Sequence, residues 1–404
     1  MKNLFLRAAN ARSLLLAIAC VVCAPPVSGQ SDPLGDPRAA AFALEREGKN
    51  AEAEAAWRQI AAEAPANPEP LAHLGLLEAR QEHYEKAVAF YRKALKLDPE
   101  MPGLRLNMGL SLFKNGEYKE AILDFEPMLK AQSAESFESE RLTLLLGMSH
   151  YGLGEYDAAV PYLKKASESD PKNLTLLLTL AHSCLLSKQF PCVLDAYHRL
   201  VALNAESAEA DMLVGEALDA MTDISGATRE FRAAVAANSK EPNVHFGLGY
   251  LLWKQKQYEE AAKEFQAELV STPSYAQAMI YLADSYIQMN RFDQAQPVLE
   301  MVVKSDPSVS MGRLDLGIVY AAAKRNQDAL REFKAAEALK PDDVNVHWRM
   351  GRLYRAMGES AQARREFDKA STLNKAADAK LFEMLPETDR KRSAAALSVT
   401  NEQK

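Results

Sequence analysis

The chain has 404 residues, of which 48% are hydrophobic and 25% are charged. This composition is typical of a soluble folded protein and excludes a fibrous or a disordered chain. The formal net charge is −7, and an acidic chain is unsuited to general nucleic-acid binding because it repels phosphates. We therefore expect no nucleic-acid partner.

The N-terminal segment, residues 1–29, has the pattern of a secretory signal peptide. Basic residues precede an apolar run, Leu14 to Ala24, that is too short to span a bilayer as a helix. Small residues after the run predict cleavage before Gln30, and residues 30–33 then form a short linker. The alternative is a lipoprotein signal in which Cys20 is lipidated. Both interpretations predict an exported protein, periplasmic or secreted, with no transmembrane segment after signal removal and with cysteines that can be oxidised.

A repeat of 34 residues dominates the chain from residue 34 to residue 375. If each unit is numbered from 1 to 34, position 20 is alanine in nine of the ten units, position 8 is always small and position 24 is large and apolar in all ten. The position 20 series, with one four-residue offset after the third unit, is Ala53, Ala87, Ala121, Ala159, Val193, Ala227, Ala261, Ala295, Ala329 and Ala363.

These spacings predict two helices in every unit. Positions 4, 7, 8 and 11 fall on one face of a first helix, and positions 17, 20, 24 and 27 on one face of a second. The small residues at positions 8 and 20 allow the two helices to approach closely, and a proline at position 32 of six units ends the second helix. Because one helix pair cannot bury its apolar face alone, neighbouring units must stack.

This pattern resembles the tetratricopeptide repeat. The resemblance implies an all-α, right-handed α-solenoid whose first helices line a concave groove. Repeats 1–3 cover residues 34–135, an insertion covers 136–139, and repeats 4–10 cover 140–375. The insertion predicts a joint between two subarrays near residue 136. Residues 376–404 begin with the apolar stretch AKLFEML, which predicts a capping helix followed by a polar, disordered tail.

The sequence contains no pattern that is typical of an enzyme. The seven histidines are scattered among the repeats, and no phosphate-binding loop, nucleophile elbow or zinc-ligand spacing is present. We therefore expect a protein that is not an enzyme, with no catalytic residue, cofactor or metal.

Each first helix has a second face, opposite its packing stripe, that lines the groove in this family. In several repeats this face carries large apolar side chains, and in others it carries charged ones. A helix that is apolar on two faces is either buried on both or available to a partner. We predict a peptide-binding groove that is acidic in repeat 6 and basic in repeat 10. Its residues are Leu106, Leu110, Phe113, Leu144, Met148, Tyr151, Glu216, Asp219, Phe246, Tyr250, Trp253, Trp348, Arg352 and Arg355.

The alternative is that the apolar members of this set only fill the contact between adjacent first helices and that the charged members are solvated. The function predicted from the groove is a non-catalytic scaffold outside the cytosol that binds a protein or peptide partner, in envelope assembly, secretion or polymer export. An accessory subunit of an envelope enzyme complex, with the chemistry on another chain, is the second hypothesis. Self-association is left open.

Two cysteines, Cys184 and Cys192, flank the helical turn of repeat 5. Cys184 is at position 11, which packs in the core, whereas Cys192 is at position 19, where other repeats have polar residues. An oxidising compartment and a tight hairpin favour a disulfide, but the two positions point in different directions and therefore favour separate thiols. We expect separate thiols and retain the disulfide as the alternative.

Overall fold

The structure, a computed structural model, describes residues 36–133, 136–203 and 207–384, with side chains to residue 380. The signal peptide, Cys20, the linker at 30–33 and the polar tail from residue 385 lie outside these residues. The described chain contains twenty α-helices and no strand, so the predicted all-α fold is confirmed. None of the described helices is both long enough and apolar enough to cross a membrane.

The helices form ten consecutive hairpins, one for each predicted repeat. Their bounds are α1 Pro37–Arg46, α2 Asn50–Glu63, α3 Glu69–Arg80, α4 Tyr84–Leu97, α5 Leu104–Asn115, α6 Tyr118–Ala131, α7 Phe137–Leu153, α8 Tyr156–Ser169, α9 Leu174–Leu186, α10 Phe190–Ala202, α11 Ala208–Ala220, α12 Ile224–Ala237, α13 Val244–Lys254, α14 Tyr258–Ser271, α15 Ala276–Gln288, α16 Phe292–Ser305, α17 Ser310–Ala322, α18 Asn326–Leu339, α19 Val344–Ala356 and α20 Ser360–Met384.

The turn inside each hairpin has the same backbone conformation in all ten repeats. Position 15 has a positive φ, as in Gly116 and Lys188, and the next N–H donates to the carbonyl at position 11, as from Glu117 to Leu112. This arrangement closes the first helix with a left-handed residue and satisfies one of its last carbonyls. Six repeats adopt it without glycine, so the turn is not apparent from glycine spacing alone.

Close packing within a hairpin depends on the small residue at position 8. A Cβ added to Gly317 would lie 2.5 Å from the ring of Phe333, the residue at position 24 of the same repeat. The position 20 alanines are almost fully buried. The predicted contact between the two helices of a hairpin is therefore present.

The chain divides into two compact modules: an N-terminal module up to residue 227 and a C-terminal module from residue 228. This division does not coincide with the predicted joint near residue 136, which stays a prediction. Of the predicted insertion, Ser136 caps α7 by accepting from the N–H of Ser139 at 3.0 Å, and the remaining residues lengthen α7 to 17 residues. The extra residues continue a helix because nothing in them breaks one.

The C-terminal end of the described chain also differs from the prediction. Residues 376–384, assigned to a separate capping helix, instead continue α20, which runs unbroken for 25 residues. The physical reason is that no proline or glycine lies between Ser360 and Met384, so nothing ends the helix where the earlier repeats end theirs.

Cys184 and Cys192 form a disulfide, with their Cα atoms 5.8 Å apart. The expectation of separate thiols is therefore not met. Cys184 is fully buried, as its position predicts, but Cys192 is half-buried against the same apolar cluster rather than directed to solvent. The turn between α9 and α10 brings the two backbones within the range that a disulfide spans.

We expect the disulfide to be detectable by mass and to contribute little to stability. The untreated protein should be lighter by two hydrogens than the reduced one, and Cys184 and Cys192 should react with an alkylating reagent under denaturing conditions only after reduction. Because the closed loop is short, reduction should lower the free energy of unfolding by about 2 to 3 kcal/mol at most. Alkylation of both cysteines without reductant would contradict the bond.

Candidate partner-binding surface

Five of the fourteen predicted groove residues are buried. Phe246 is only 1% exposed, and the others lie in apolar clusters that also contain residues of second helices, such as Phe125 and Leu163. They are Leu106, Leu110, Met148, Tyr151 and Phe246. The structure therefore favours the packing interpretation for these five, because a docked partner could not reach them without displacing a repeat. Phe113 and Leu144 are half-buried against the same clusters.

An aromatic cluster joins repeats 7 and 8. Trp253 stacks on Tyr250 at 6.1 Å between ring centroids and meets Tyr281 edge-on at 5.1 Å. The indole N–H of Trp253 donates to the Asp284 carboxylate at 2.5 Å. The three rings are half-buried, so part of their apolar surface is accessible to solvent. The indole N–H of Trp253 is already hydrogen-bonded within the protein.

The Trp253–Asp284 hydrogen bond has a counterpart in the N-terminal module. This counterpart is the hydrogen bond between the Tyr151 hydroxyl and His182 Nδ1, which are 2.6 Å apart. Each of the two hydrogen bonds links position 12 of one repeat to position 9 of the next. Burial lowers the pKa of His182 to about 4 and raises the pKa of Tyr151. Both positions lie on the face of the first helix that is predicted to line the groove, so the sequence pattern does not predict this pairing between successive repeats. Its signal in the sequence is a complementary polar pair 31 residues apart.

Acidification is expected to destabilise the N-terminal module through His182. Its folded pKa is depressed, so the neutral ring contributes stability that is present above the unfolded pKa of about 6.5 and is lost as the pH falls towards 4. Changing His182 to leucine, which repeats 2 and 3 have at this position as Leu76 and Leu110, should flatten this part of the profile. Urea denaturation at a series of pH values measures it. If the free energy of unfolding fell as steeply between pH 6.5 and 4 in the leucine variant as in the wild type, His182 would not be the source of the pH dependence.

The predicted acidic part of the groove carries less negative charge at neutral pH than its sequence suggests. Glu216 is half-buried, and burial, with a contribution from Asp219, raises its pKa to about 7. A carboxyl group with this pKa is only partly ionised at neutral pH, so it attracts a cation less than a solvated glutamate would.

A buried carboxyl group occupies the middle of the C-terminal module. Asp315 is 4% exposed, and its Oδ2 has no hydrogen-bond partner among the described residues. Burial raises its pKa, and the negative charge of Asp284 adds to the shift while Arg349 opposes it. The group is expensive to bury in its charged form.

The predicted basic end of the groove is an exposed surface on α19. Trp348 is 45% exposed, and the guanidinium carbons of Arg352 and Arg349 lie 4.8 and 5.8 Å from the centre of its ring. Arg355 lies over Phe367 at 5.5 Å. We call Trp348, Arg349, Arg352 and Arg355 the α19 patch; within the described chain none of its arginines has a carboxylate within 4 Å.

One group of side chains could hold a cation. Ligand atoms of Glu337, His347 and Glu366 lie within 4.8 Å of one another. Lys369 already donates to both glutamates at 3.2 Å. Burial opposes the charged imidazole of His347, but its pKa is raised because Nδ1 faces Glu366 at 2.8 Å and because of its hydrogen bond to the Pro341 carbonyl.

His347 and Glu366 are at positions 4 and 23 of repeat 10. The same two positions pair His245 with Glu264 at 2.6 Å in repeat 7 and Arg313 with Glu332 at 2.8 Å in repeat 9. Arginine cannot ligate a metal, so this pairing of positions 4 and 23 is a polar contact between the two helices of a repeat that does not require a bound cation. It was also missed from the sequence, where a spacing of 19 residues between a basic and an acidic side chain is its signal.

Stacked hairpins of this kind define an α-helical repeat protein of the solenoid class. Family models described as tetratricopeptide repeat match residues 106–173, 215–276 and 282–344 and residues 150–217 and 320–385. A model described as TPR repeat matches residues 75–116. The chain belongs to the tetratricopeptide repeat superfamily.

Among curated proteins, the chain is 26% identical over 202 residues to BBSome complex member BBS4 of Bos taurus, covering 50% of this chain and 38% of that protein. It is 24% identical over 201 residues to anaphase-promoting complex subunit 3 of Schizosaccharomyces pombe, covering 50% and 30%. The chain thus spans less than two fifths of these relatives.

Among solved structures, the APC/C hetero-tetramer Cut9-Hcn1 matches with a TM-score of 0.45 and 18% identity, covering 77% of this chain and 60% of that one.

Proposed function

We propose that the protein is a non-catalytic scaffold that binds another protein through the exposed residues of its first helices. The observation that carries the proposal is the α19 patch, where the large ring of Trp348 and the guanidinium groups of Arg352 and Arg355 are exposed together. Exposed aromatic and arginine side chains are the residues that most often anchor protein interfaces. Family membership supports the proposal, because the repeat presents a row of helix faces and two of the curated relatives are named as members of complexes.

We further propose that the scaffold acts outside the cytosol, in envelope assembly, secretion or polymer export. The signal-like pattern of residues 1–29 supports export, and a disulfide between Cys184 and Cys192 suits an oxidising compartment. The second candidate is an accessory subunit of an envelope enzyme complex. The same surface supports it, since a partner chain that carries the chemistry would dock in the same way.

Chemical cross-linking of the full chain in its native cells, followed by identification of the linked proteins, tests the proposal. A stoichiometric protein partner supports the scaffold function, and an enzyme subunit as that partner supports the second candidate. Cell fractionation in the same experiment tests export. Recovery of the chain without any stoichiometric protein partner would refute the scaffold function.

A further inference from the structure

We infer that the α19 patch recognises an acidic segment of a partner polypeptide, in which carboxylates are bound by Arg352 and Arg355 beside the ring of Trp348. This inference rests on the proposed scaffold function and specifies the chemistry of its partner.

Aromatic rings orient two arginines of the patch so that they can bind carboxylates. Stacking on an aromatic ring uses the face of a guanidinium and leaves the in-plane N–H groups free to donate. Arg352 is placed in this way on Trp348, and Arg355 lies against Phe367. Because ring contact already restricts these long side chains, less conformational freedom is lost when they bind a carboxylate in the two-bond geometry that arginine favours.

The absence of a carboxylate within 4 Å distinguishes the arginines of the patch from several other arginines of the same module. Arg232 pairs with Glu260, Arg291 with Glu259 and Arg313 with Glu332. Within the patch, Arg349 interacts electrostatically with Asp315 and Asp284, and Asp315 is buried. Positive charge is thus left exposed on one helix of a chain whose formal net charge is −7.

The length of the α19 patch and the negative net charge of the protein favour a short peptide segment over a polyanion as its ligand. Trp348, Arg352 and Arg355 are spaced i, i+4 and i+7 on α19, so they extend for about 10 Å along the helix axis. An extended segment of about five residues directs its first, third and fifth side chains to one face, enough for two acidic side chains and one apolar side chain against Trp348. A nucleic acid or an anionic membrane would bring a large negative surface against an acidic protein and is therefore disfavoured.

Fluorescence anisotropy of a labelled peptide tests the inference. The probe is a peptide in which glutamates and aspartates flank a central leucine, and its control has glutamine and asparagine in their place. The full chain should bind the acidic peptide about tenfold more tightly than the neutral one, and added salt should weaken binding. Arg352→Glu, Arg355→Glu and Trp348→Ala should each lower the affinity for the acidic peptide several-fold or more.

Arg364→Glu is the matched control, because Arg364 is exposed on the second helix of the same repeat and its reversal changes the net charge equally. It should leave the affinity nearly unchanged. Equal binding of the two peptides, equal losses in the Arg364 and Arg352 variants, or tighter binding of single-stranded DNA or anionic vesicles than of the peptide would overturn the inference. If the peptide fails to bind while cross-linking still yields a partner protein, the inference is wrong and the scaffold function stands.

Discussion

Replacing Trp57 by alanine is expected to lower the free energy of unfolding of the N-terminal module by about 3 to 5 kcal/mol. Trp57 has no exposed surface and stacks on His73 at 4.4 Å. Its indole N–H donates to Glu45 at 2.6 Å, and the same Glu45 oxygen lies 2.7 Å from His73 Nδ1. The replacement therefore creates a cavity and also removes a donor from a buried carboxylate.

Trp348 provides the matched control, because it is the same residue type with 45% of its surface exposed. Trp348→Ala should change the free energy of unfolding by about 0.5 kcal/mol or less. Urea denaturation followed by far-ultraviolet circular dichroism measures both variants. Equal losses in the two would contradict the assignment of Trp57 to the core and of Trp348 to a partner surface.

Replacing Asp315 by leucine is expected to stabilise the C-terminal module by about 1 to 3 kcal/mol at pH 7.5. Repeats 4 and 6 have leucine at this position, Leu145 and Leu213, and both are buried. The change removes a buried carboxyl group whose Oδ2 has no partner among the described residues.

The pH dependence follows from the direction of the shift. The folded pKa of Asp315 is raised, so its contribution to stability is fully present below the unfolded pKa and is lost as the pH rises through the folded pKa. The gain from Asp315→Leu should therefore be larger at pH 7.5 than at pH 4.

Asp284→Leu is the control for this prediction, because Asp284 accepts hydrogen bonds from Trp253 and Gln288. It should destabilise the module, since it leaves the indole N–H without its acceptor. A loss of stability in Asp315→Leu at pH 7.5, or a gain that is the same at both pH values, would mean that the carboxyl group is not a source of strain in the folded state.

The repeat pattern predicted the fold because it is set by short-range packing. A glycine at position 8 and a large ring at position 24, as in Gly317 and Phe333, can meet only in a close helical hairpin. The same register placed Cys184 in the core. It misplaced Cys192, because the first turn of α10 lies beside the end of α9, where an outward position is still covered by the hairpin itself.

The surface residues were harder to predict. A register assigns Phe246 and Trp348 to the same face at the same position of their repeats, yet one is buried and the other exposed. The difference lies in the neighbours: Tyr281 of repeat 8 and Tyr275, the last residue of repeat 7, cover Phe246, whereas repeat 10 is followed by no further repeat hairpin within the described chain. Burial on this face thus depends on which side chains the adjacent repeat supplies, and a single repeat's pattern does not contain that information.

Site-specific photo-cross-linking at position 348 tests the central claim most directly. A photoreactive amino acid would replace Trp348 in the full chain, and a second variant would carry it in place of Met301, which is exposed on the second helix α16. We predict one discrete protein adduct from position 348, and none from position 301, with an acidic segment of the partner at the linked site. No adduct at 348, or the same adducts from both positions, would contradict the claim.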